Sequence, residues 1–100
     1  MPGSENLTTV MFTYIYVLSS TKDKSKLYIG LTQNLVKRVN EHNRKHTFST
    51  RPYAPWKVIH YEAYIHKQDA IRREKYLKTN QGSRLLKRML KEYFYSTYAN

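Results

Sequence analysis

Two segments dense in tyrosine and large or β-branched apolar residues, "FTYIYVLSS" (12–20) and "LYIGLT" (27–32), flank a short polar, lysine-rich turn, "TKDKSK". Such segments favour extended backbone, and so brief a connection makes them antiparallel neighbours in a hairpin. "WKVIHYEAYI" (56–65) alternates well enough to be a third strand. A chain of 100 residues with three strands builds one small sheet, and helices must supply the rest of its core. Gly30, inside the second strand, suggests a bulge or a close backbone approach.

The helices follow from apolar spacing and punctuation. The first is expected over about 34–45, with Thr32 or Asn34 as N-cap. "HTFSTRPYAP" (46–55), with two prolines, reads as a loop. A second helix is expected over 67–79, a break at "NQGS" (80–83) with Gly82 near a C′ position, and a third helix over 84–94. In that last helix Leu85, Leu86, Met89 and Leu90 are expected to face inward. The order β-β-α-β-α-α is an α+β plan, a three-stranded antiparallel sheet flanked by helices. The domain is expected over 12–94, with tails at 1–11 and 95–100.

Composition narrows the partners. No apolar run approaches the ~18 residues of a membrane span, and "MPGSENLTTV" lacks a signal-peptide pattern. The absence of cysteine excludes disulfides and thiolate metal sites and makes the cytoplasm the expected compartment. Eighteen Lys and Arg against seven Asp and Glu give a net charge of +11, with nine of the basic residues between Lys67 and Lys91. That balance favours a polyanion, nucleic acid above all, held through phosphate contacts and counterion release.

Three polar residues stand where apolar ones are expected. At about 100° per residue, Leu35 and Val39 form the stripe of the first helix, with Arg38 and His42 at its border and Lys37, Asn40 and Glu41 pointing away. Long basic side chains often lie along such an edge. Glu74 is central to the one apolar face of the second helix, beside Ala70 and Leu77. A carboxylate there must be paired, neutralised or metal-bound, because burying it bare costs several kcal/mol. An ion pair with Arg38 is one way to meet that need, and a functional site is the other. Tyr14 and Tyr16 share a face of the first strand, and Tyr28 lies on its neighbour.

The ordered set "YIY" (14–16), "YIG" (28–30), "RVNEH" (38–42) and Glu74 in "AIRREKYLK" resembles the GIY-YIG nuclease domain over residues 12–94. The likeness is to short stand-alone members, similar to the nuclease domain found in excinuclease ABC. Tyr14 stands where the family's name has glycine. The late asparagine of many relatives has Asn80 as its candidate here. The resemblance implies phosphodiester hydrolysis with Mg²⁺ or Mn²⁺ bound by Glu74. It also implies Arg38 as a phosphate clamp, Tyr16 as general base assisted by His42, and Tyr28 as an orienting group. Phosphate contacts are expected from Lys37, Arg44, Lys45, Arg51, Arg72, Arg73 and Lys78. The expected substrate is branched, flapped or single-stranded DNA, as met in repair or recombination, with RNA, a protein partner or a homodimer left open. The alternative is a basic nucleic-acid-binding module on the same scaffold without turnover.

Other constellations carry less. His42 and His46 sit at i, i+4, but a zinc site wants three or four protein ligands. Trp56 and Tyr53 are suited either to stacking a base or to anchoring the core. His60 and His66 read as surface or strand-end residues.

Overall fold

The computed structural model describes residues 10–99, with side chains through Ser96. Most of the expected N-terminal tail lies outside the described residues. Strands β1 (Thr13–Ser20), β2 (Leu27–Thr32) and β3 (Trp56–Tyr64) form an antiparallel sheet in the order β2-β1-β3. Helix α1 (Leu35–Asn43) follows the hairpin, and α2 (Lys67–Leu77), α3 (Asn80–Met89) and α4 (Lys91–Ala99) follow β3. A single 3₁₀ turn, Arg51–Tyr53, interrupts the expected loop.

β1 is central and buried on both faces, so its alternation divides the core in two. Ile15 and Val17 pack with Ala70, Leu77 and Leu86 under α2 and α3. Tyr16 and Leu18 pack with Ala54 and Trp56, beside Leu35 and Val39 of α1. A register shift between Val17 and Leu18 leaves Ile59 as the extra residue of β3. This bulge lets Trp56 join the α1 side while Ile59 packs on the other.

Side-chain caps mark where α1 and α3 begin. Asn34 Oδ1 accepts from the Lys37 amide at 3.1 Å, and Thr32 Oγ1 accepts from Asn34 N, so both expected cap residues are used. The expected break at 80–83 is instead the first turn of α3. Thr79 caps it by accepting from Gly82 N at 3.0 Å, and Gly82 lies against the end of α2, where any Cβ would strike the Tyr76 carbonyl. Gly82 therefore serves close approach and is not a C′ residue. The expected helix over 84–94 is also two helices, parted at Leu90, and helix continues through the expected C-terminal tail to Ala99. Leu86 is buried and Leu90 partly so, whereas Met89 is exposed, contrary to expectation.

An ion-pair cluster fastens α2 to β3. Glu62 accepts from Arg73 Nε at 3.0 Å and from Tyr64 Oη at 2.8 Å, with His60 Nε2 2.9 Å away. Burial pushes the Glu62 carboxyl up, but the hydrogen bonds from Arg73, His60 and Tyr64 outweigh it and hold the group at about 2. A carboxyl depressed in the folded state contributes stability above its ordinary 4.5 and loses it as pH falls toward about 2. The contribution at neutral pH is roughly 3 kcal/mol by that displacement. Denaturant titrations of Glu62→Gln should show lower stability at pH 7 and a weaker decline than wild type between pH 4.5 and 2. Parallel curves for the two proteins would contradict it.

Candidate active site

The hairpin and α1 bring three rings together. Tyr16 projects from β1 toward α1 and lies across Gly30, its register partner on β2. Tyr28, from the same face of β2, and His42, from the last turn of α1, flank it. Ring centroids are 6.1 Å apart for Tyr16–Tyr28, 5.7 Å for Tyr16–His42 and 4.8 Å for Tyr28–His42. The Tyr16 hydroxyl lies 2.9 Å from His42 Nε2 and accepts from Arg38 Nε at 3.4 Å. His42 is fully buried.

Gly30 is what makes room for this arrangement. A Cβ there would overlap the Tyr16 hydroxyl and stand 2.5 Å from its Cζ. Tyr16 is buried between His42 and Tyr28, so the ring has little room to yield. Gly30→Ala is expected to lose about 1–3 kcal/mol to overpacking and to pull Tyr16 from His42. The unfolding midpoint in urea checks the first, and an unchanged midpoint would place the ring elsewhere.

Electrostatics keep the resting pair neutral. Burial pushes the Tyr16 phenol up to about 12, opposed by the Arg38 hydrogen bond and reinforced by Tyr28 and by the negative charge of Glu74. Burial, then Arg38, lowers the His42 imidazole. Arg38 also bridges to Glu41, Nη1 to Oε1 at 3.1 Å.

Glu74 pairs with Lys78, at 3.2 Å, and not with Arg38 as the structural alternative required. Its side chain is 16% exposed, and its partner is a lysine more than half exposed. Among the described residues no group of three His, Cys, Asp or Glu is placed to hold a metal. The donor set thus does not suit a protein-only cage or zinc. It fits a Mg²⁺-like ion, which takes one or two carboxylates and completes its shell with water and phosphate oxygens.

The other expected residues divide. Lys37 and Arg44 line an exposed groove along α1, with Lys45 and Arg51 exposed nearby in sequence. Arg72 pairs with Asp69, and Arg73 is held by Glu62, which commits it to the fold before any phosphate. Asn80 is exposed at the first position of α3. Trp56 is a core anchor: it is buried and its indole N–H donates to the Thr50 carbonyl at 2.8 Å. His60 belongs to the Glu62 cluster and not to the surface, while His66 is exposed at the N-cap of α2. Sequence reasoning missed Thr50, whose hydroxyl lies 2.8 Å from His42 Nδ1. No local pattern marks a loop threonine eight residues beyond a histidine.

A small three-stranded sheet thus carries hairpin tyrosines that meet an arginine and a histidine from one helix, with a glutamate on the next. The family model described as the GIY-YIG catalytic domain matches residues 12–89, and the chain belongs to that nuclease family. It is also 41% identical over 66 residues to a UPF0213 protein of Clostridium perfringens (strain 13 / Type A), covering 65% of this chain and 69% of the relative. Nucleases of this family act on nucleic acid and generally use divalent metals. No helix among the described residues is long and apolar enough to cross a membrane.

Proposed function

We propose that this chain is a divalent-cation-dependent DNA endonuclease that prefers single-stranded, flapped or branched DNA to plain duplex. The observation that carries the reading is the Tyr16 hydroxyl, held at once by Arg38 Nε and within hydrogen-bond reach of His42 Nε2. Hydrolysis adds an oxygen nucleophile to a phosphorus centre that is already negative and then expels an alkoxide. Tyr16 serves as general base once its proton has passed to His42. A phenol at about 12 is a weak donor at neutral pH, so its ionisation needs positive charge close by. Arg38 supplies one such charge, and its planar fork suits the oxygens of a phosphate. Glu74 would hold Mg²⁺ or Mn²⁺, which supplies neutralisation of the leaving oxygen and polarisation of the phosphoryl group. With Glu74 neutralised, one of the charges that raises the Tyr16 phenol is also removed.

Placement supports the substrate preference. Tyr28 sits on β2, an edge strand of the sheet, and the exposed cations along α1 are lysine and arginine, which neutralise phosphates without reading bases. A bent or unpaired strand reaches such an edge more easily than a rigid duplex. The rival reading, a binding module without turnover, draws on the neutrality of the resting Tyr16–His42 pair. The test is cleavage of single-stranded, flap, fork and duplex DNA with Mg²⁺, Mn²⁺ or EDTA. Cutting of the first three that stops in EDTA is expected. Tight, salt-sensitive binding of every substrate with no product would favour the module.

A further inference from the structure

His42 does not end the polar chain that begins at Tyr16. Its Nδ1 lies 2.8 Å from Thr50 Oγ1, and both residues are almost completely buried. Which ring nitrogen carries the proton is set by what each nitrogen faces. At one end, the Tyr16 oxygen accepts from Arg38 Nε, so its own proton is free to point at His42 Nε2. At the other end, the Thr50 hydroxyl has the Thr47 carbonyl 3.4 Å away as an acceptor, leaving Oγ1 to accept from Nδ1–H. The two ends agree on one tautomer, Nδ1 protonated and Nε2 bare.

The loop that carries Thr50 is tied down independently of the site. Trp56 Nε1 donates to the Thr50 carbonyl at 2.8 Å. Asn43, at the end of α1, clamps the Trp56 backbone from both sides: its Oδ1 accepts from Trp56 N at 2.6 Å and its Nδ2 donates to Trp56 O at 3.0 Å. Ser20 Oγ fastens the same loop to β1 through the Tyr53 carbonyl at 2.5 Å. A loop so closed presents its threonine in one position, which is what orienting an imidazole requires.

We infer that Thr50 is a positioning residue that fixes His42 as the Nδ1–H tautomer and so makes Nε2 the proton acceptor for Tyr16. The inference rests on the reading of Tyr16 and His42 as the proton-transfer pair. In the step it serves, the Tyr16 O–H bond breaks and an Nε2–H bond forms, leaving phenolate and imidazolium, with Nδ1–H still donated to Thr50. The attacking water then gives its proton to the phenolate as its oxygen bonds phosphorus and the bond to the leaving oxygen breaks. The leaving oxygen keeps the bonding pair as an alkoxide and takes a proton from solvent, to which the imidazolium returns its own. A third group orienting a base is the logic that serine-hydrolase triads use with a carboxylate. Here a neutral hydroxyl does it, which suits a histidine that rests uncharged.

The test has two readouts on the full chain. Nitrogen NMR of histidine-labelled protein, with His42 assigned from a His42→Gln sample, should show a pyrrole-type Nδ1 and a pyridine-type Nε2 in wild type. Thr50→Val, which keeps the shape and removes the acceptor, should lose that pattern, and Thr50→Ser should restore it. On a DNA substrate that the wild type cuts, Thr50→Val should lower kcat at least about tenfold with KM little changed, part of the 10²–10⁴-fold range of a positioned proton acceptor, and Thr50→Ser should recover most of it. A protonated Nε2 in the wild type overturns the inference whatever the activity, as does a Thr50→Val protein with wild-type kcat. If the wild type cuts no DNA, the nuclease reading fails, and the assignment of the tautomer is then decided by the NMR alone.

Discussion

Glu74→Ala is expected to abolish metal-dependent cleavage, by at least about a thousandfold, while leaving the fold intact. The loss follows if this carboxylate is the protein's anchor for the cation, since charge stabilisation of several kcal/mol at the phosphoryl group goes with it. Stability should hardly change, because Glu74 contributes one i, i+4 pair with a largely exposed Lys78, worth about 0.3–0.5 kcal/mol. The variant also separates two explanations of a slow enzyme. Glu74 raises the Tyr16 phenol, so removing it makes Tyr16 easier to ionise and not harder. Loss of cleavage therefore does not come from the carboxylate's own charge on Tyr16, which opposes ionisation. Single-turnover cleavage across a Mn²⁺ titration, beside a thermal melt, makes the measurement. Wild-type rates in Glu74→Ala would remove Glu74 from the site.

Tyr16→Phe should lower kcat by about 10²–10⁴-fold with little change in KM. The ring still fills the space over Gly30 and still packs against His42 and Tyr28, so only the hydroxyl is tested. Arg38 keeps its bond to Glu41, which limits any collapse of that side chain. Tyr28→Phe is the natural comparison. Tyr28 shares the ring cluster but not the bond to His42, and a smaller loss there would mark Tyr16 as the base. A Tyr16→Phe protein with near-normal kcat at saturating metal would sink the assignment.

The strands, the first helix and its cap were legible because each rests on local chemistry. β-branched and aromatic runs extend the backbone, and asparagine bonds its own helix start. The polar border of the α1 stripe was also legible, and His42 proved fully buried there. Misreadings came where a residue answers to a distant one. "NQGS" looks like a break until the end of α2 is placed against Gly82. The Glu62 cluster left a signal that went unused, since His60, Glu62 and Tyr64 alternate onto one face of β3.

Local pattern was enough for a three-stranded α+β scaffold and its basic charge, and the resemblance it carries singled out Tyr16, Tyr28, Arg38, His42 and Glu74 as candidates. Only the tertiary structure decided what those side chains touch. It placed Tyr16 over Gly30, gave Glu74 to Lys78, and carried Thr50 across a closed loop to the far nitrogen of His42. The reason is range: propensity and periodicity act within a few residues. A hydrogen bond between residues 16 and 42 exists only after the sheet and the first helix have packed.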